Sequence, residues 1–152
     1  MTERYRMLDH PADGKFRAFG ATMEEAFANA ALAMASIMVD WEKVERRVEH
    51  PVRIEAGDLQ QLLNKFLSEM LYLFDARKFV LGAAEDVHIE MPPDEGLGAD
   101  GPIRLSARFV GDDRPERYEF HGDVKAVTYS EMKIEACDCG PGPWVLQVVV
   151  DL

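Results

Sequence analysis

The chain is poor in cysteine, with only Cys137 and Cys139 among 152 residues. Their C-x-C spacing is a poor disulfide geometry and half a zinc site at most. They precede Gly140-Pro141-Gly142-Pro143 and read as part of a turn, so the expectation is a cytoplasmic protein with free thiols. A long hydrophobic run is also missing. The most apolar helical stretch, Ala26 to Val39, contains Asn29 and Ser36 and is flanked by acids, so nothing is built to cross a membrane. Glu3, Arg4 and Arg6 are not followed by an apolar block, so no secretory signal is visible. Basic charge is scarce: 17 Lys and Arg against 28 Asp and Glu leave a formal net charge of -11. That argues against direct, phosphate-driven binding of nucleic acid. It suits divalent cations or a basic protein partner, or simply an acidic surface. The nucleophile elbow G-x-S-x-G, the phosphate loop G-x-x-x-x-G-K and the zinc motif H-E-x-x-H are all absent. The four histidines, His10, His50, His88 and His121, lie far apart: His50 and His88 read as surface residues, while His10 sits in a tight turn between Asp9 and Asp13. There it can orient a carboxylate or a partner group, or only hold the turn.

What is present is a globular core. Hydrophobic residues make up 47% and charged residues 30%, and the length fits one domain, residues 1–152. Thr22 with Glu25 predicts a capped helix start, followed by Met23, Phe27, Ala30, Ala31, Met34, Ile37 and Met38 at helical spacing. Asp58 with Gln61 predicts a second, with Leu59, Leu62, Leu63, Phe66, Leu67, Met70, Leu71 and Phe74 in one stripe, ending near Asp75 to Lys78. Strands are expected at Tyr5 to Leu8, Lys15 to Phe19, Val44 to Ile54, Phe79 to Leu81, Val87 to Met91, Ile103 to Val110, Val124 to Ile134 and Trp144 to Val150. The last is apolar on both faces and reads as central. Pro92 to Gly101 and Gly111 to Arg117 read as exposed loops. The predicted fold is α+β, a two-layer sandwich with two helices packed on one face of a largely antiparallel mixed sheet.

Two ends of the chain carry suggestive carboxylates. Asp13 lies in Asp9-His10-Pro11-Ala12-Asp13-Gly14, and the sequence closes on Asp151-Leu152 directly after a strand. Asp13, Asp151 and a terminal carboxylate on Leu152 would make an oxygen cluster suited to a hard divalent cation if the fold made them neighbours. The plain alternative is exposed charge at a loop and a terminus. In Lys125-Ala126-Val127-Thr128-Tyr129-Ser130, a continuous strand would put Lys125, Val127 and Tyr129 on one face, facing either a phosphate or partner carboxylate, or only solvent.

Three segments, in order, resemble the archease family, and the similarity runs nearly end to end. DHPADGKFRAFG (Asp9 to Gly20) resembles the family's opening motif, VKAVTYSEM (Val124 to Met132) its V-K-A-(V/I)-T-Y signature, and VVVDL its terminal strand ending in Asp plus an aliphatic residue. LLNKFLSEMLYLFD (Leu62 to Asp75) fits its second helix. The resemblance implies an accessory protein and no enzyme. Archeases assist the tRNA-splicing RNA ligase that joins a 2′,3′-cyclic or 3′-phosphate end to a 5′-hydroxyl, promoting its guanylylation and multiple turnover. It implies a calcium site, or one for another hard divalent cation, at Asp13, Asp151 and Leu152, the last through main-chain oxygen. His10, Lys125 and Tyr129 are the residues expected to face the partner or support the site. RNA would be reached only through the ligase. Two departures stand out: Pro11 replaces a Thr, and Gly14 replaces a β-branched residue. Pro11 removes a backbone donor and fixes φ, so the turn is expected to differ locally. The alternatives are a small metal-dependent phosphoesterase or hydrolase using the same acids with Lys125 or His10, and a chaperone-like modulator of RNA-modifying proteins.

Overall fold

The computed structural model describes residues 3–8, 13–92, 101–136 and 141–152. His10, Cys137, Cys139 and most of the acidic loop before Gly101 lie outside them, and the Asp13 side chain is likewise outside the description.

Helix α1 spans Met23–Met38 and starts as the capping pattern predicts. Thr22 Oγ1 accepts from the Glu25 N–H at 3.1 Å. The Glu25 carboxylate reaches back to the Ala21 N–H at 3.2 Å, one residue before the usual partner in a reciprocal capping box. Small residues bury α1 on nearly every side, including Ala26, Ala30, Ala31, Ala33 and Ala35. It therefore packs closely against strands of two different sheets. Helix α2, Leu59–Arg77, is capped by Asp58, whose Oδ1 accepts from the Gln61 N–H at 2.8 Å. It ends at Lys78, which takes a left-handed φ of 57°. There the Phe79 N–H closes on the Leu73 carbonyl, as in a Schellman-type stop. Asp58→Ala is expected to cost about 1 kcal/mol of stability. Urea unfolding would read that as a lower midpoint, largely restored in Asp58→Asn; an unmoved midpoint would show the cap to be redundant.

The α+β class holds, and the strands divide between two antiparallel sheets. In the first, β1 (Tyr5–Leu8) pairs with β2 (Asp13–Gly20), and β2 pairs with β8 (Trp144–Asp151). Two short strands, β6 (Ala126–Val127) and β7 (Lys133–Ala136), share the other side of β8. The second sheet runs β3 (Val48–Ala56), β5 (Ile103–Asp112), β4 (Val80–Glu90), with β5 in the middle. Both sheets and both helices close around one apolar core, with Phe16, Leu146 and Val148 from one side and Val52, Leu105 and Phe109 from the other. Phe66 of α2 ties it together, its ring 5.8 Å from Phe27 and 5.2 Å from Phe109.

β8 is central, as its apolar pattern predicts. Other expectations need correction. The segment expected as a strand from Val44 starts pairing only at Val48, after a 3₁₀ turn at Trp41–Lys43. The two short strands expected around residues 79–91 are one irregular strand, β4, with register shifts at Leu81/Ala83 and Glu85/His88 and a φ of 52° at Asp86. The strand expected from Val124 to Ile134 breaks into β6, a turn in which Glu131 takes a φ of 53°, and β7. His88 is exposed, as expected. His50 instead packs edge-on against Phe79, with ring centroids 4.8 Å apart. Gly111 and Asp112 extend β5 into what the sequence suggested was loop. Asp112 is fully covered, though only just beneath the surface. Burial alone would raise its pKa, but the Tyr118 hydroxyl, donating at 2.7 Å, the Asp113 N–H and the charge of Arg117 outweigh that and hold it below the usual value. Among the described residues no helix is long and apolar enough to cross a membrane.

Candidate metal centre

β2 begins where β8 ends, so antiparallel pairing carries the two distant acids to one place. Asp13 is the register partner of Asp151, followed by Gly14 opposite Val150 and Lys15 opposite Val149. Directly opposite positions share a sheet face, with Cβ atoms about 5 Å apart. On its other side Asp151 pairs with Ala126, and its main-chain oxygen accepts from the Lys125 N–H at 2.8 Å. Three segments that are far apart in sequence thus meet at Asp151. Asp151 and Leu152 are exposed.

Gly14 explains how the chain's end is seated. A Cβ there would lie 3.0 Å from Val150 Cγ2, 3.2 Å from Ile37 Cδ1 and 3.4 Å from Leu152 Cδ2. The missing side chain lets Ile37 of α1 and the Leu152 side chain close over β2. The Leu152 side chain is therefore held against the fold, with its main chain beside Asp151.

This place fits a hard cation by its donor chemistry. Among the described residues it offers the Asp151 carboxylate and main-chain oxygen, the hard donors such a cation takes. Two like charges directly opposite each other in a sheet are destabilising unless something neutralises them. Among the described residues, which leave out the Asp13 carboxylate, no three His, Cys, Asp or Glu side chains converge on a point.

The sequence-predicted partner residues are partly brought together. Lys125 is exposed beside Asp151, and its side chain has no partner among the described residues. Tyr129 does not share a strand face with it. Pairing in β6 stops at Val127, and Tyr129 stands 56% exposed on the turn that follows. That turn is fastened to β8. Thr128 gives the Val149 carbonyl both its N–H (3.1 Å) and its hydroxyl (2.8 Å), and Thr128 Oγ1 accepts from the Ser130 N–H at 3.2 Å. Lys15, whose side chain is 17% exposed, pairs with Glu131 at 3.3 Å. From α2, Asn64 Nδ2 donates to the Val127 carbonyl at 3.3 Å and is itself steadied by Ser68.

Sequence reasoning passed over Gln147. It is 2% exposed, accepts from Arg17 Nε at 3.0 Å and donates to the Glu131 carbonyl at 2.8 Å. The signal was available: one amide stands inside the apolar run WVLQVVV.

A broad depression of about 900 Å³ lies elsewhere, lined by Tyr5, Trp41, Tyr118 and His121 among others. Its charged groups are largely spent on one another, as in Lys43 with Asp40 and Arg117 with Glu45. Lys125, Tyr129, Asp151 and Leu152 do not line it.

The fold and this end of it define a small α+β protein in which two acids are paired across the terminal strands. Residues 5–152 match the model of the Archease protein family (MTH1598/TM1083). The chain is 38% identical over 153 residues to "Protein archease" of Methanosarcina mazei, covering 99% of this chain and 97% of that protein. It is 42% identical over 154 residues to "Protein archease" of Pyrobaculum calidifontis, covering 97% and 95%. The solution structure of Methanobacterium thermoautotrophicum protein 1598 superposes with a TM-score of 0.78 at 32% identity, covering 98% of this chain and 99% of that one. The chain belongs to the archease family.

Proposed function

We propose that this protein is a calcium-binding accessory factor, and no enzyme, that activates a cytoplasmic RNA ligase joining 3′-phosphate and 5′-hydroxyl ends, by promoting guanylylation and repeated turnover of the ligase. The observation that carries the reading is the register of Asp13 against Asp151, with Lys125 bound to the Asp151 main chain. Asp13, Asp151 and main-chain oxygen of Leu152 would hold calcium or another hard divalent cation. The ion would supply positive charge that binds the two chain ends together and offsets their acids. Lys125 offers an ammonium next to that place, suited to a phosphate or a carboxylate on the partner. The net charge of -11 suits a basic protein surface and leaves contact with RNA to the ligase.

The test is guanylylation of the purified ligase by GTP with and without this protein, at fixed free calcium. Stimulation that disappears on chelation supports the reading. Intrinsic phosphoesterase turnover by this protein alone would favour a metal-dependent hydrolase instead. Lys125→Ala is expected to lower stimulation while leaving the unfolding midpoint in place, because its side chain is exposed and makes no hydrogen bond or ion pair among the described residues. Equal stimulation by Lys125→Ala and the parent would leave Lys125 a solvated charge.

A further inference from the structure

Gln147 is an anomaly that the proposed metal centre does not use. It sits in the middle of the central strand, between β2 and β7, and its register partners are Arg17 on one side and Lys133 on the other. With a cation on each flank, electrostatics alone would favour a glutamate. A valine or leucine would continue the apolar strand at no cost in unpaired polar groups. The side chain's hydrogen bonds explain why neither stands there. An amide can accept from Arg17 Nε and donate to the Glu131 main-chain oxygen at once, whereas an ionised carboxylate has no donor. What the amide secures is therefore the turn of residues 128–132. The same turn is held at its near end by Thr128 on Val149 and at its far end by Lys15 on Glu131. It carries Tyr129 outward, beginning two register positions from Asp151.

We infer that Gln147 is a positioning residue: it clamps the 128–132 turn, and so sets where Tyr129 stands, for engagement of the protein partner beside the Asp151 end of β8. This rests on the proposed role as a ligase-activating factor. The rest of the site does not need it. Asp13, Asp151 and Leu152 are placed by strand register and by the seat at Gly14, whereas the turn leaves the ladder and depends on side chains to return.

The test uses two variants of the full chain. Gln147→Glu keeps the size and the contact with Arg17 but sets a carboxylate against the Glu131 oxygen. Gln147→Met keeps the volume and removes both bonds, so the strand is expected to fold. In each, amide hydrogen exchange at residues 130–132 should quicken by roughly fivefold, the factor one net hydrogen bond supplies. The concentration of this protein needed for half-maximal stimulation of the ligase should rise by a similar factor, with the plateau rate unchanged. Calcium affinity by calorimetry should stay with the parent's, and in Gln147→Glu the unfolding midpoint should not fall. A merely structural Gln147 would lower the midpoint and the plateau together. Unchanged exchange in both variants, or a loss of stimulation explained by lost calcium binding, overturns the inference. Failure of the parent itself to stimulate the ligase is a different result: it removes the ligase reading, and the partner role of the turn with it.

Discussion

Asp151→Asn is expected to weaken the proposed calcium binding, and with it the proposed stimulation of the ligase, while the protein stays folded. That is the result expected from the register of β2 and β8. The asparagine keeps the side-chain size, and the main-chain oxygen that accepts from Lys125 is untouched. What is lost is one formal charge in a site built from few ligands. Affinities of oxygen-donor calcium sites span several orders of magnitude with ligand charge and rigidity, so a fall of about a hundredfold or more is expected. Asp13→Asn, at the paired position, should do the same. Without calcium the sign reverses. Two acids opposite each other repel, so either variant should unfold at a temperature equal to or above that of the calcium-free parent. Calcium at about 100 times its dissociation constant should stabilise the parent by about 2.7 kcal/mol and the variants hardly at all. Thermal unfolding with and without calcium reads this independently of any ligase. A parent with no calcium-dependent shift, or variants that shift as the parent does, would remove the metal centre from this end of the fold.

How far the sequence revealed this arrangement differs by element. The helices were legible because their signals are local: Thr22 and Asp58 cap, and the apolar stripes repeat at helical spacing. β8 was legible as central because both its faces are apolar. The division into two sheets was not, since pairing between β3 and β5 or β2 and β8 joins segments far apart in the chain, and alternation says which face is buried without naming the neighbour. The breaks in β4 and between β6 and β7 were missed for a related reason. The break at Glu85/His88 and the turn between β6 and β7 go with positive φ at Asp86 and Glu131, neither of them a glycine, while the shift at Leu81/Ala83 falls at Gly82.

The candidate site was half legible. Composition and spacing gave two separate acidic ends and left them as open alternatives. Resemblance to archeases singled out Asp13, Asp151 and Leu152, and the register places the first two opposite each other. The sequence pattern puts Lys125 and Tyr129 on one strand face, whereas β6 ends at Val127 and leaves Tyr129 on the turn beyond it. Gln147 was overlooked because an amide in a strand advertises nothing until its two partners, Arg17 and the Glu131 carbonyl, are known. Local chemistry marks what can bind; tertiary register decides what stands beside it.

Gly111→Ala is expected to be the most damaging one-methyl substitution in the second sheet. The difficulty is space. A Cβ at Gly111 would lie 1.9 Å from the Val80 carbonyl oxygen, 3.0 Å from the Val80 carbonyl carbon and 3.1 Å from the Gly82 nitrogen. All three are backbone atoms, so no side chain can rotate away. The crowding follows from the bulge in β4: Leu81 pairs with Gly111 and Ala83 with Val110, so Gly82 is an extra residue that brings the strand close over β5. On the other side the Gly111 carbonyl accepts from the Arg47 N–H at 2.8 Å, so β5 cannot simply slide away. Relief requires the start of β4 to lift, exposing Phe79, Val80 and Leu81, which are at most 3% exposed. Overpacking costs about 1–3 kcal/mol on its own, and loosening that apolar corner adds about 1.5–3 kcal/mol for each side chain uncovered. Against a total stability of about 5–15 kcal/mol, most of the molecules should unfold cooperatively or fail to accumulate, because both sheets share one core. Gly57→Ala is the control, since its Cβ would meet only Gln61 Oε1 at 3.7 Å, an ordinary contact. Urea unfolding of the two variants decides the matter: a Gly111→Ala midpoint indistinguishable from that of Gly57→Ala would mean that β4 can shift freely, and that the bulge does not lock the second sheet.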